Sequence, residues 1–374
     1  MASTQRKEIR SHHSIRGIAA LFVLILHMKE ILAWGEIEVG SKLPFIGKGY
    51  LWVDCFFILS GFVLSYAYAR TLHQPNLAEF VQASVRFFRA RFSRIYPLHI
   101  FALVFLLAIR GSSYLIFPQT GDFFRGDNNF YSLITNIFLI HSWELNTTNT
   151  WNTPSWSIST ETFAYLLFPL LCLVQYLVKP LFYIILLLVP ILFYATLLYL
   201  ESGLNQTCHL ALMRCTAGFL LGMVIYNVWT LVNNDFIDKL VAFQLLFVVV
   251  IFATMQFAFN DIIAVIAFFL LILTTASDKG ILAKMLCHPL FVHLGMVSYS
   301  VYMMHYVVMR FAFQYKWFLF DYWVMNGVDK QLLSITIFSV IILVVFGVSE
   351  ITYRYVEVPA RNRLQKRKLI RVDY

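Results

Sequence analysis

Five apolar stretches of this sequence carry groups suited to moving a proton. His27 ends LFVLILH, Asp54 interrupts LWVDCFF, Glu161 lies in WSISTETFAY, Arg214 in ALMRCTAGF, and His305 and Arg310 in SVYMMHYVVMR. An ionisable side chain inside a hydrophobic run is costly to bury and needs a partner or a task. Imidazole with a carboxylate nearby is the pairing of general acid–base chemistry: a neutral ring takes the proton and the carboxylate fixes its tautomer. A second set is cationic: Arg16, Arg89, Arg91 and Arg94, whose planar guanidinium groups bind phosphate-like anions through paired hydrogen bonds. Each group also has a plainer use. A lone histidine in a span bridges helices, Asp54 offsets a nearby cation, Glu161 favours a helix N-terminus, and arginines at a membrane face anchor to anionic lipid. His12 and His13 read as solvated tail residues, and His73, His99, His209, His288 and His293 suggest no chemistry. The five cysteines show no CxxC spacing, so neither a metal site nor a disulfide framework is expected.

The elements that must position these residues follow from composition. The chain is 60% hydrophobic, 17% aromatic and only 13% charged, against roughly 25% charged in soluble domains. Apolar stretches near 15–34, 50–69, 95–117, 157–177, 181–200, 208–229, 240–258, 261–277, 291–313 and 332–353 approach or exceed the ~18 residues of a membrane span. The fold class expected is therefore all-α, a polytopic integral membrane protein of about ten transmembrane helices. The reading depends on a tight hairpin at Phe259, Asn260 and Asp261; were 240–277 one helix, the C-terminus would change sides.

Charge placement sets the orientation. Basic residues gather in the N-terminus, in 70–94, at Lys179, Lys239, Lys279 and Lys284, and in the tail from Arg354 onward. These are alternate loops of the ten-span reading, so the positive-inside rule puts both termini in the cytoplasm. Topology thus accounts for the net charge of +9, and no nucleic-acid partner is expected. No small-residue cleavage site follows Trp34, so a retained first span is expected. The organisation is one membrane domain over 1–374, with a cytoplasmic N-terminus (1–14), a transmembrane region (15–353) and a basic cytoplasmic tail (354–374). FVQASVRFFRARFSRIYP reads as an amphipathic helix at the inner interface running into the third span. The Asn-, Thr- and Trp-rich segment 130–155 reads as held at the outer interface.

Depth brings the polar residues together. At ~1.5 Å per residue His27 lies about 18 Å in from Ile15, and Asp54, four residues down from Tyr50, falls within roughly a turn of that level. Glu161 and His305 reach similar heights, while Arg16, Arg89, Arg91 and Arg94 stay at the inner face. Trp143, Trp151 and Trp156 offer outer faces suited to stacking on sugar rings, or to interfacial anchoring.

These residues resemble a known family, the integral-membrane acyltransferases of family three, which include O-acetyltransferases of bacterial surface polysaccharides and lipopolysaccharide. SIRGIAALFVLILH is similar to the family's first span with its essential histidine, and GYLWVDCFFILSGF to its second. RARFSRIYP resembles the cytoplasmic arginine motif and PSWSISTETFAYLLFP the Trp-Ser-x-x-x-Glu helix start. MRCTAGFLLGM, LGMVSYSVYMMH and YRYVEVPAR follow in the family's order. The resemblance implies an acyltransferase with His27 as catalytic base, Asp54 and Glu161 in its site, and Arg16, Arg91 and Arg94, with Arg89 beside them, holding acetyl-CoA or a related acyl-CoA. It implies a glycan or glycolipid acceptor near Trp143, Trp151, Trp156, Arg214, Tyr299 and His305, a lipid environment, and the bacterial cytoplasmic membrane. Where the family carries an aspartate three residues before its first-span arginine, this chain has His13. The expected form is the stand-alone one, without an appended esterase-like domain. Buried His, Asp and Glu also build proton relays, so a proton-coupled transporter of lipid or saccharide is the alternative; no paired broken spans or two-halved repeat support it.

Overall fold

A computed structural model describes residues 8–39, 43–74, 76–116, 123–124, 126–200, 203–231 and 234–365. These are helical almost throughout, with no β-strand element among them. In chain order the principal helices are α1 (Arg10–Trp34), α2 (Leu51–Leu72), α3 (Leu77–Ile116), α4 (Phe130–Ile137), α5 (Trp156–Leu177), α6 (Lys179–Tyr199), α7 (Ala211–Leu231), α8 (Gln244–Gln256), α9 (Asp261–Thr275), α10 (Pro289–Gln314), α11 (Lys330–Thr352) and α12 (Val358–Leu364). Seven helical segments are long and apolar enough to cross a membrane: α1, α2, α3, Thr153–Leu177, α6, α7 and Lys330–Leu364. Their outward side chains suit lipid. α6 leaves Ile184, Leu187, Leu188, Ile191 and Leu192 exposed, a surface that water would not tolerate and hydrocarbon does. The protein is an all-helical integral membrane protein.

The chain does break between α8 and α9. Ala258 takes a left-handed φ of 53°, the Asn260 side chain accepts from the Ile262 backbone N–H at 3.0 Å, and the two helices pack on each other. At 13 and 15 residues they are shorter than a full span. The amphipathic stretch and the third apolar run form one continuous 40-residue helix, α3. The helix carrying His305, α10, is 26 residues long; its serines, tyrosines and histidine keep its hydropathy down while its length suffices to span.

Glycines set the closest helix contacts. A Cβ on Gly17 would lie 2.7 Å from the Gly295 backbone nitrogen, and one on Gly295 would overlap the His13 carbonyl, so α1 and α10 touch backbone to backbone, the arrangement small residues permit in membranes. From that contact, Arg16 reaches Ser298 and His27 reaches His305. Gly17 to His27 and Gly295 to His305 are equal steps, so the two helices run parallel and in register. A second contact joins α2 to α7, where a Cβ on Gly222 would overlap the Ile58 carbonyl and one on Gly61 the Phe219 carbonyl.

Gly295→Val should therefore separate α1 from α10, at a cost of about 1–3 kcal/mol from overpacking, and lower the melting temperature of the purified protein. Gly347→Ala, where an added Cβ meets nothing within 4 Å, should leave it unchanged; equal effects would refute the backbone contact.

Candidate active site

A cavity of about 750 Å³ opens among α1, α2, α3, α5 and α10. One face of α2 forms its wall, with Phe56, Ser60, Val63, Ala67 and Thr71 at helical spacing; fifteen residues at ~1.5 Å each make that wall about 22 Å long. Its polar lining comes from Arg16 and His13 on α1, Arg91 and Arg94 on α3, Glu161 and Tyr165 on α5, and Ser298, Tyr299 and Tyr302 on α10. At the deep end the Tyr302 hydroxyl lies 2.7 Å from Ser157 Oγ and donates to the Pro154 carbonyl at 3.1 Å.

Arg16 is held at its neck: Nε donates to Ser298 Oγ at 3.1 Å and Nη2 to the Gly295 carbonyl at 3.0 Å. Nη2 also lies 3.2 Å from His13 Nδ1. A neutral imidazole thus supplies the acceptor toward Arg16 at the position of the family's aspartate. His13 is no solvated tail residue, and neither is His12, which is buried with Nε2 3.0 Å from the Ile272 carbonyl. Both belong to α1, which starts earlier than hydropathy suggests because Asp278 caps it from outside: its carboxylate accepts the backbone N–H groups of Arg10 at 3.1 Å and Ser11 at 3.0 Å.

The four arginines expected at the inner face divide into two pairs. Arg16 and Arg91 turn to the cavity; Arg91 lies over the Tyr68 ring, donates to its hydroxyl at 3.2 Å, and keeps a buried Nε with no partner. Arg94, at the cavity wall, is paired at 3.2 Å with buried Glu357, which also accepts from Ser300. Arg89 points the other way, its Nε donating to the Leu364 carbonyl, so α12 is fastened to α3.

The carboxylates part company. Glu161 lies in the second turn of α5, too far along to act as its N-terminal acid, and accepts from Ser60 Oγ inside the cavity. Asp54 faces α7 and forms a bidentate pair with Arg214, at 3.0 Å and 2.7 Å, both side chains fully buried. Arg214 also donates to the carbonyls of Gln206 and Tyr50 and stacks over Trp156 at 5.2 Å.

The ring partner of His27 is instead His305. His27 Nδ1 is 2.9 Å from the Val23 carbonyl and 3.2 Å from His305 Nε2, while His305 Nδ1 is 3.1 Å from the Val301 carbonyl. His305 is fully buried; His27 keeps part of its ring open. The pair follows Tyr302 by one turn of α10, just past the cavity's deep end, with the Tyr302 and His305 rings 6.0 Å apart.

Of the tryptophans, Trp151 and Trp156 are buried and Trp143 half-buried. Trp143 Nε1 donates to the Ser159 carbonyl and Trp151 Nε1 to Ser132 Oγ. They hold the 130–155 segment onto α5 and α4 rather than presenting open faces. Tyr299 donates to the Ile95 carbonyl at 2.6 Å from the cavity wall. Sequence reasoning passed over Ser60, Tyr68, Tyr165, Ser298 and Glu357; the recurrence of Phe56, Ser60, Val63 and Ala67 on one α2 face was the available signal. No group of three or more His, Cys, Asp or Glu suited to a metal occurs among the described residues.

A polytopic helical protein with a cation-lined cavity leading to a histidine pair is the class this geometry defines. Residues 12–354 match the acyltransferase family 3 model, described as an acyltransferase domain, and the chain belongs to that family. It is 34% identical over 42% of its length to the acyltransferase MdmB of Streptomyces mycarofaciens, covering 37% of that protein. It is 38% identical over 25% of its length to protein 2 in the picA locus of Rhizobium radiobacter, covering 41% of it. Across 93% of the chain it is 22% identical to a Staphylococcus aureus (strain COL) protein named "Putative O-acetyltransferase", covering 56% of it. The chain thus spans about half or less of the length of these relatives. No solved structure matches it.

Asp278 supports the mouth from a loop. Burial alone would raise its carboxyl, but the hydrogen bonds from Ser11 and Arg10 outweigh this and hold it below the ordinary carboxylate range. Its stabilisation is present above the unfolded value of about 3.9 and is lost as the pH falls through the lower folded value. Asp278→Ala should destabilise the protein by about 0.5–2 kcal/mol at neutral pH, the cost of a lost helix cap. The gap to wild type in thermal unfolding should close on acidification below about pH 4; a gap that persists there would contradict the cap.

Proposed function

We propose that this protein is a membrane O-acyltransferase that takes an acetyl group from cytoplasmic acetyl-CoA and passes it to a hydroxyl of an extracytoplasmic glycan. The observation that carries this reading is the alignment along one axis of a cation-lined cavity and, one turn beyond its deep end, the His27–His305 pair. Family membership supports acyl transfer. Ten crossings with both termini in the cytoplasm of a bacterial inner membrane fit the parallel α1 and α10 and the break between α8 and α9, and place the cavity mouth inside.

The donor's fit rests on two features. Arg16 and Arg91 face the cavity, and Arg91 Nε is buried and unpartnered, a donor suited to a phosphate oxygen. The length of the α2 wall suits an extended arm, with Val63, Leu64 and Ala67 as apolar lining. Arg94 is the lesser contributor because Glu357 already offsets it, and Arg89 acts by fastening α12.

At the deep end His27 is the base. A sugar hydroxyl is too weakly acidic to attack unaided, so His27 Nε2 takes its proton as the oxygen adds to the thioester carbonyl, then gives that proton to the departing sulfur. Atoms balance as an ester and a free thiol. Asp54 serves at a distance: with Arg214 it holds the start of α2 against α7. Glu161 tunes the charge of the cavity wall.

His27→Ala should lower acyl transfer by on the order of 100-fold or more, the share of a general base, in membranes containing wild-type amounts of folded protein; retained transfer to envelope glycan would remove the base assignment. Arg16→Ala with Arg91→Ala should weaken binding of CoA to the purified protein by about 10-fold or more, since each charge-assisted pair is worth roughly 1.5–3 kcal/mol. Undiminished affinity would return both residues to a structural role.

A further inference from the structure

We infer that His305 is the positioning residue of the site: it holds the His27 ring, whose tautomer the Val23 carbonyl sets, and accepts the second hydrogen bond of the imidazolium that forms during transfer. The inference rests on the reading of His27 as base and names the partner that reading lacks.

The argument is an accounting of donors and acceptors. A backbone carbonyl only accepts, so a ring nitrogen held 2.9 Å from the Val23 oxygen must carry a hydrogen, and His27 is the Nδ1–H form. The same holds for His305, whose Nδ1 lies 3.1 Å from the Val301 oxygen. Neutral His305 therefore presents a lone pair at Nε2, and that lone pair stands 3.2 Å from His27 Nδ1. The His27 N–H is shared between the Val23 carbonyl and His305 Nε2. The opposite assignment would set lone pairs against carbonyl oxygens on both rings, in a place where His305 has no water to turn to.

Two consequences follow. His27 Nε2 is left without a hydrogen, on the only ring of the pair with open surface. When it takes a proton, the positive ring already points its Nδ1–H at two acceptors. This is the work a carboxylate does in a hydrolase triad, performed here by a neutral group. Asp54 and Glu161, the acids of similar height, are paired with Arg214 and with Ser60. His305 keeps its own geometry because Val301 on the preceding turn holds Nδ1 and Tyr302 packs on the ring.

The test separates the His27–His305 hydrogen bond from activity. In detergent-solubilised full-length protein labelled with ¹⁵N-histidine, the His27 resonances, assigned by their loss in His27→Gln, should show a protonated Nδ1 and a bare Nε2. In His305→Leu, which fills the space and accepts nothing, the Nδ1–H form should persist on Val23 alone, with its proton resonance moved upfield by the loss of one of two acceptors. Transfer of label from [¹⁴C]acetyl-CoA into envelope material should lose kcat by about 10-fold or more, with the KM for acetyl-CoA unchanged. His305→Gln, whose Oε1 can occupy the Nε2 position and accept, should recover most of that loss. A wild-type His27 with hydrogen on Nε2, or a His305→Leu variant with unaltered Nδ1–H resonance and kcat, would overturn the inference while leaving His27 as base. A fully active His27→Ala would instead strike the underlying assignment, whatever His305 does.

Discussion

The contact between Gly17 and Gly295 sets the distance and the register between α1 and α10, and the site is built on that register. With no Cβ on either side, the two backbones approach closely enough for the Gly295 carbonyl to serve Arg16 and for Ser298 to meet its Nε. Because the helices run parallel with equal residue steps from that point, His27 and His305 meet about 15 Å farther along. One close approach thus fixes both the cation at the neck and the ring pair beyond the deep end. A larger residue would disturb both ends at once.

Around that axis, the charged groups Arg16, Asp54, Glu161 and Arg214 each have a hydrogen-bond partner. Asp54 and Arg214 are the extreme case. A buried ion pair contributes little net stability against an apolar replacement, but losing one partner leaves a stranded charge. What the pair adds is geometry: Arg214 bonds the Tyr50 and Gln206 carbonyls as well, binding the start of α2 to the loop before α7. The other face of α2 is thereby free to serve as the cavity wall.

Much of this was legible in the residues, and the limits have a physical form. Hydropathy and helical rise give a residue's height along its helix, so the common level at which His27 and His305 meet followed from the sequence alone. Rotation about the helix axis did not. Asp54 is two residues from Phe56, about 200° around the helix, which turns it from the cavity toward α7. Arg89 and Arg91 are split in the same way. His13 was hidden by a different effect: Asp278, distant in sequence, extends α1 by capping it. The tryptophans of 143–156 show that aromatic richness in an outer segment marks packing as readily as a binding face, and only their indole partners distinguish the two.

The fastening of α12 to α3 bears on how the molecule is made. Arg94 finds its counter-charge in Glu357, and Arg89 its acceptor in the Leu364 carbonyl, so the wall of the mouth is braced by residues that leave the ribosome more than 250 positions later. His27 waits across a separation of 278 residues for His305. α1 is therefore completed only by helices made long after it. A chain without α10 and α12 carries its arginines and histidine in place but unmatched, and the assembled site arises only once those helices have followed.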